Sequence, residues 1–198
     1  MFTGIIQALG TIDAIAPLPA GRRYTIGLGA LRGRAFNLGD SIAVNGACLT
    51  VVELADGRFA ADLSNETLAV TTLGGLAVGS PVNLEPALTL ADPLGGHLVT
   101  GHVDGIGSVE AMDQEGGTVL ARFRVPDALA RYFARKGSIC VDGVSLTVNA
   151  VAGATVGVTL VPHTLAHTIM HTYAAGTPVN IEVDLVARYV ERLLASDR

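Results

Sequence analysis

The chain has little charge for its 198 residues: only 16% are Asp, Glu, Lys or Arg. That is too little for a disordered segment, and the 49% hydrophobic fraction is ample for packed cores. The formal charge is −5, the pI is near 5.4, and no run of basic residues occurs, so nucleic-acid binding is not expected. No apolar run reaches the ~18 residues that a membrane span needs. The opening Met1-Phe2-Thr3-Gly4 lacks the basic start of a secretory signal. Cysteine is scarce as well, with only Cys48 and Cys140. These absences fit a soluble protein in a reducing cytoplasm. There is no P-loop, and no Gly-x-Gly-x-x-Gly follows a strand and opens a helix, so no cofactor motif is present.

What the chain does have is a repeat. Residues 41–51 read Ser-Ile-Ala-Val-Asn-Gly-Ala-Cys-Leu-Thr-Val, and 97 positions later residues 138–148 read Ser-Ile-Cys-Val-Asp-Gly-Val-Ser-Leu-Thr-Val. The same offset carries Thr3-Gly4 onto Thr100-Gly101 and Gly10 onto Gly107. It also carries Thr67-Leu68-Ala69 onto Thr164-Leu165-Ala166, and Gly79, Pro81, Val82, Asn83 and Glu85 onto Gly176, Pro178, Val179, Asn180 and Glu182. The period exceeds a solenoid unit and has the size of a small domain, so two similar domains stand in tandem. The two cysteines occupy non-equivalent positions of this repeat, which speaks against a structural disulfide.

Turn signals are dense, with 24 glycines and the pairs Asn45-Gly46, Asp56-Gly57 and Asp142-Gly143. Between them lie short runs rich in Val, Ile, Leu and Thr, at 11–15, 24–28, 41–44, 49–54, 59–63 and 81–84. Strands of this length and spacing predict an all-β sandwich or barrel, with Asp56-Gly57 as a tight hairpin. Ser64 can cap one helical turn, and 127–135 has helical composition. The strongest helix lies in the tail at 184–194. There Leu185, Val186, Tyr189, Val190, Leu193 and Leu194 draw one apolar stripe that must dock on its own domain or on the same helix of other chains.

Chemistry is best sought where the two copies differ at matched positions. Cys48 faces Ser145, Ile5 faces His102, and Ala87 faces Asp184. Cys48 reads either as a small buried apolar residue or as a nucleophile. His102 either bonds a backbone carbonyl or shuttles protons near neutral pH. Ser41 reads as a turn hydroxyl or a reactive one. His163, His167 and His171 are spaced by four, as helical zinc ligands can be. The first copy has Glu66, Val70 and Gly74 there, and Thr168, Ile169 and Thr172 disfavour a long helix, so no metal is expected.

Several blocks together resemble the riboflavin synthase alpha-chain family. They are Met1-Phe2-Thr3-Gly4-Ile5-Ile6, the block from Val44 to Val51, the junction from Gly95 to Gly105, Lys136-Gly137, the block from Asp142 to Val148, Pro162-His163-Thr164, and the block from Val179 to Asp184. The resemblance covers essentially the whole chain. It implies an all-β fold of two similar six-stranded antiparallel Greek-key barrels plus a C-terminal α-helix. The division would be 1–97, 98–183 and 184–198, with the last segment an oligomerisation helix of a homotrimer. It implies dismutation of two 6,7-dimethyl-8-ribityllumazine molecules, without metal or other cofactor, at a site between barrels of neighbouring chains. Association with lumazine synthase is known for some relatives. By matching, Ser41, Cys48, His102 and Asp184 are the catalytic candidates: Cys48 or Ser41, or a water they hold, for the nucleophile, His102 for the proton shuttle, and Asp184 as its partner or an orienting acid. The first barrel would bind through Gly4, Ile5, Ile6, Cys48, Leu49, Thr50, Asp62, Leu63, Ser64, Asn65, Glu66 and Thr67. The second would use Gly101, His102, Val103, Ser145, Leu146, Thr147, Thr159, Leu160, Val161, Pro162, His163 and Thr164, with Lys136 reaching in from a neighbouring chain. The segments Asp92-Pro93-Leu94 and Ala166 to His171 depart from the family pattern, which bears on local loop shape. The rival reading is a non-catalytic lumazine- or flavin-binding antenna protein of the same duplicated fold.

Overall fold

A computed structural model describes residues 1–195. The first copy folds into β1 (Ala8–Leu18), β2 (Gly21–Gly27), β3 (Ser41–Val44), β4 (Ala47–Ala55), β5 (Arg58–Ser64) and β6 (Pro81–Pro86). These close into a barrel in the order β1-β2-β5-β4-β3-β6. The second copy supplies β7 (Gly105–Glu115), β8 (Thr118–Arg124), β9 (Ser138–Val141), β10 (Val144–Ala152), β11 (Thr155–Leu160) and β12 (Pro178–Val183), closed in the equivalent order. The paired strands are antiparallel, and the run β2-β5-β4-β3 is a Greek key. The domain boundary expected at 97 falls between β6 and β7, and the one expected at 183 falls at the end of β12.

Alternation along the strands fills each barrel. Ile12, Tyr24, Ile26, Leu49, Phe59, Leu63 and Leu84 pack inside the first. Val109, Phe123, Ile139, Leu146, Val156, Leu160 and Ile181 pack inside the second. Burial of such side chains contributes roughly 1.5–3 kcal/mol each relative to exposure, so each barrel interior is a hydrophobic core.

The barrels meet at a seam with approximate two-fold character. Phe2 N–H donates to Val99 O at 2.7 Å, and Val99 N–H returns to Phe2 O at 3.1 Å. Phe2, Ala43, Val99 and Cys140 form a small apolar core of their own. The turns at Asn45 and Asp142 abut there, both in the left-handed region at φ 46° and 44°, which Asn and Asp tolerate. Asn83 Nδ2 donates to Asp142 O at 2.9 Å, and Asn180 Nδ2 donates to Asn45 O at 2.8 Å, so each barrel satisfies the other's turn.

Three helices interrupt the strand pattern: α1 (Asn65–Val70), α2 (Pro162–His167) and α3 (Leu185–Ala195). Ser64 Oγ caps α1 by accepting from Thr67 N–H at 3.0 Å. The helical composition at 127–135 yields a 3-10 turn, Asp127–Tyr132. The tail helix forms as expected, with Asp184 Oδ1 accepting from Val186 N–H at 2.9 Å at its start; the last expected positions, 196–198, lie outside the described residues. Its polar side holds its own barrel. Arg188 bonds Asp104 at 2.6 Å, Tyr132 donates to Glu191, and Arg131 pairs with Glu191 at 3.3 Å. Its apolar stripe does not dock on that barrel: Val186, Tyr189, Leu193 and Leu194 are 62–70% exposed. No helix among the described residues is long and apolar enough to cross a membrane.

Candidate functional site

The matched residues lie on the outer faces of the barrels. Leu49, Leu63, Leu146 and Leu160 point into the cores, so any ligand would meet only their backbone. Their neighbours Cys48, Thr50, Asp62, Ser64, Ser145, Thr147 and Thr159 therefore point outward. Ser41 pairs with Thr50 in the β3–β4 register and Ala43 pairs with Cys48, so Ser41 shares the outer face but lies toward the far end of the strand pair. It also lines a cavity of about 280 Å³ with Arg34, Phe36 and Asp40.

Each face is completed by a strip from across the seam. Ser145 N–H donates to Gly4 O at 2.8 Å, and Cys48 N–H donates to Gly101 O at 2.9 Å. Ile6 packs on the second core and Val103 on the first. The grouping expected from sequence, with Gly4, Ile5 and Ile6 on the first barrel and Gly101, His102 and Val103 on the second, is thus exchanged. The Phe2–Val99 bridge is the reason. It lays the two strips antiparallel across the seam, so that each glycine carbonyl reaches the other barrel's strand. The approach is close enough to require glycine. A Cβ on Gly4 would lie 2.5 Å from Ser145 Cβ, and one on Gly101 would lie 2.7 Å from Cys48 Cβ.

The second-barrel face carries an acid–base pair that the sequence reading did not single out. His97 Nδ1 and Ser145 Oγ share a hydrogen bond of 2.7 Å, and His97 N–H donates to Thr3 O at 3.1 Å. His97 Nε2 is buried without a partner among the described residues. Burial pushes the imidazole below its usual pKa, and the Asp184 charge partly opposes this. A neutral imidazole on a hydroxyl, with its second nitrogen free, can accept and return a proton. His97 lies at the junction of the two copies, where the 97-residue offset compares it with no residue of the first.

The first-barrel face places half-buried Cys48 beside the strip that bears His102. His102 is exposed, and its backbone N–H donates to Thr100 Oγ1 at 3.3 Å. Asp184, expected as the partner of His102 or as an orienting acid, follows β12 directly. Its carboxylate accepts from the start of α3, and its charge falls on His97. Asp62 is held in a fork by Arg23, at 2.6 and 2.9 Å, which keeps its carboxyl below the usual range. Asn65, Glu66 and Thr67 open α1, whereas Val161, Pro162, His163 and Thr164 open α2. The His163 ring stacks on His167 with centroids 4.0 Å apart, and α2 ends before His171. Lys136 is exposed in a left-handed conformation at φ 69°.

Comparison with known proteins puts names to this arrangement. The lumazine binding domain family model matches the chain twice, at residues 3–87 and 100–184. Riboflavin synthase of Photobacterium phosphoreum is 46% identical over the whole of this chain and 91% of its own. Riboflavin synthase of Mycobacterium tuberculosis is 46% identical over 99% of both chains, and that of Bacillus subtilis is 40% identical over 98% of this chain and 90% of its own. Crystal structures of LumP complexed with 6,7-dimethyl-8-(1'-D-ribityl) lumazine and with riboflavin superpose with TM-scores of 0.83 and 0.84. Their identities are 25% and 27%, and each covers 92% of this chain and 99% of LumP.

Proposed function

The chain belongs to the lumazine binding domain family, and from that membership we infer how its two outer faces act together. It is an enzyme with riboflavin synthase function. A four-carbon unit passes from one 6,7-dimethyl-8-ribityllumazine to another, giving riboflavin and 5-amino-6-ribitylaminouracil. The observation that carries this reading is identity of 40–46% to riboflavin synthases over essentially the full chain, so that both barrels are included. A duplicated fold with two similar faces suits a reaction that uses two copies of one substrate. Electrons move only between those two copies, so the chemistry as written calls for no external oxidant or reductant.

The two faces would divide the work. One lumazine lies on the first-barrel face, along Cys48, Thr50 and the strip at Gly101–Val103. The other lies on the second-barrel face, along Ser145, Thr147 and the strip at Gly4–Ile6. On the second face His97 takes a proton released through the Ser145 hydroxyl, and the Asp184 charge stabilises the imidazolium that forms. On the first, Cys48 or Ser41 supplies the nucleophile, directly or through a held water, and exposed His102 moves protons. Both faces are open to solvent in one chain, and catalysis at such a surface needs water excluded and two reactants held together. Closure by the opposite face of another copy meets both needs. The exposed apolar stripe of α3 supports a homotrimer built through that helix. The two unpaired cysteines suit a reducing cytoplasm.

The LumP likeness favours the second reading, a binding protein without turnover, but at lower identity. Mixing the purified protein with 6,7-dimethyl-8-ribityllumazine alone decides between them. Riboflavin with one uracil product per flavin is the expected result. Tight binding without riboflavin would move the protein to the antenna class.

A further inference from the structure

Glu85 and Glu182 are buried carboxylates, 4% and 3% exposed, at matched positions on β6 and β12. Nothing in the chemistry above uses them. Their partners are groups of the two strips rather than a cation. Glu85 accepts from Thr3 N–H at 2.7 Å, from Thr3 Oγ1 at 2.7 Å and from Gly4 N–H at 3.0 Å. Glu182 accepts from Thr100 N–H at 2.7 Å, from Thr100 Oγ1 at 2.8 Å and from Gly101 N–H at 3.0 Å. The threonine hydroxyls extend each cradle by one residue, since they accept in turn from Ile5 N–H and His102 N–H.

We propose that Glu85 and Glu182 are crossed positioning residues, each anchored in one barrel and each holding the strip that completes the ligand face of the other. Glu182 is fixed in the second barrel by the β12–β9 pairing with Cys140, yet the Gly101 that it holds presents its carbonyl to Cys48 of the first. Glu85 is fixed in the first barrel by the β6–β3 pairing with Ala43, yet the Gly4 that it holds presents its carbonyl to Ser145 of the second. A buried acid is a poor way to stabilise a barrel, because desolvation works against the charged form. Three charge-assisted bonds offset that cost here, and every one of them ends on the strip. Through Thr100, Glu182 also sets the backbone of His102. Two residues so far apart in sequence would therefore tune the two half-reactions reciprocally.

The functional half of this proposal rests on the ligand faces assigned above, whereas the crossing is a property of the backbone. Both are tested in the full-length assembled protein with Glu182→Gln and Glu85→Gln. Amide hydrogen exchange is followed at Cys48 and Ser145, with Val51 and Val148 as controls because they donate to Asp40 and Gly137 in equivalent turns. Glu182→Gln is expected to speed exchange at Cys48 about tenfold or more and leave Ser145 alone, and Glu85→Gln to do the reverse, with both controls unchanged. Turnover of 6,7-dimethyl-8-ribityllumazine should fall about tenfold in each, in kcat more than in KM. Equal acceleration at both amides and the controls would show a merely structural role and overturn the proposal, and so would each acid acting on its own barrel. Crossed exchange with unchanged kcat would overturn the positioning role. A wild-type protein that binds lumazine without turnover overturns the functional reading instead, and leaves the exchange result to decide the crossing. Should the Gln variants fail to fold, Thr100→Val and Thr3→Val remove only the hydroxyl and should give the same crossed pattern at about threefold. Absence of that pattern overturns the proposal.

Discussion

The two barrels share one strand order and differ in most of their side chains. Strand order, the abutting turns and the Thr-Gly strips held by a glutamate recur at matched positions. The differences at the faces include Cys48 against Ser145, Ile5 against His102, Asn45 against Asp142, Glu66 against His163, and an irregular linker against α3. What the copies share are carbonyls and N–H groups, which suit the same ligand twice. What they have changed are titratable or reactive groups, which let two identical molecules meet different fates. Duplication supplied a pair of sites, and substitutions at the faces made the pair unequal.

The largest expected effect comes from breaking what the barrels share. Gly4→Ala and Gly101→Ala each place a Cβ within 2.7 Å of the opposite barrel at a positive φ, so either the strip or the facing strand must move. Turnover is expected to fall by more than about 100-fold, with a loss of roughly 2–4 kcal/mol in stability. Gly153→Ala is the control. It also has positive φ, but nothing lies within 4 Å of its Cβ, so the expected cost is about 1 kcal/mol with normal kcat. If all three variants behave alike, close approach of the strips is irrelevant to catalysis.

Next in size is a test of what the barrels do not share. His97→Gln removes the partner of Ser145 and should lower kcat about 100-fold, while His102→Gln, at an exposed ring, should cost about tenfold. Burial holds His97 below the usual imidazole pKa, so the acid limb of the wild-type kcat profile should lie below pH 6.5 and vanish in His97→Gln. Equal losses in the two variants would erase the distinction drawn between the faces.

Asp142 and Asn45 offer a smaller contrast, in stability. Asp142 accepts from Asn180 N–H at 2.8 Å and from the Tyr173 hydroxyl, while burial pushes its carboxyl up from 3.8 to about 7. Buried Cys140 and the Tyr173 phenol share its surroundings, and both are raised well above their ordinary values. A carboxyl whose folded pKa exceeds its unfolded one binds its proton more tightly in the folded protein. Stability is therefore greatest below about pH 4 as far as this group is concerned, and is given up as pH rises toward 7. Asn45 fills the matched place without charge, its Oδ1 accepting from Asn83 N–H at 2.7 Å. Asp142→Asn should flatten the decline between about pH 4 and 7 and raise stability at pH 8 by roughly 1–3 kcal/mol, read as a higher Tm. A parallel pH dependence in the variant would mean that Asp142 is not the group responsible.

Much of this was legible in the chain. The 97-residue offset and the Val-rich runs gave two all-β domains, and the 184–194 periodicity gave α3. Closure into barrels was not readable from the runs themselves, because alternation reports one buried face and says nothing of whether a sheet meets its own edge. The exchange of the strips escaped for a related reason. A match at the same offset says which residues are equivalent, and the Phe2–Val99 bridge decides which barrel each one serves. His97 escaped because comparison of copies is blind to a residue present in only one. Matching to the family makes Asp184 a partner of His102 or an orienting acid, and only the end of β12 shows that its carboxylate meets α3 and its charge falls on His97.

The smallest expected effect compares the two short helices that open beside the faces. Ser64 caps α1 through Thr67 N–H, whereas α2 begins after Val161 with no side-chain cap and relies on Pro162 to fix its first turn. Ser64→Ala should therefore cost about 1 kcal/mol, and Val161→Ser should return a few tenths to about 1 kcal/mol, since an unpartnered N–H would gain an acceptor. Val161 is 47% exposed, so its removal sacrifices little burial. Both changes are readable as shifts in urea midpoint. Because α1 carries Glu66 and α2 carries His163, both among the expected binding residues, the same variants also report on function. A looser α1 should raise KM without changing kcat, the signature of binding lost equally from the ground and transition states. A loss of kcat on uncapping α1 would instead place that helix in the chemical step.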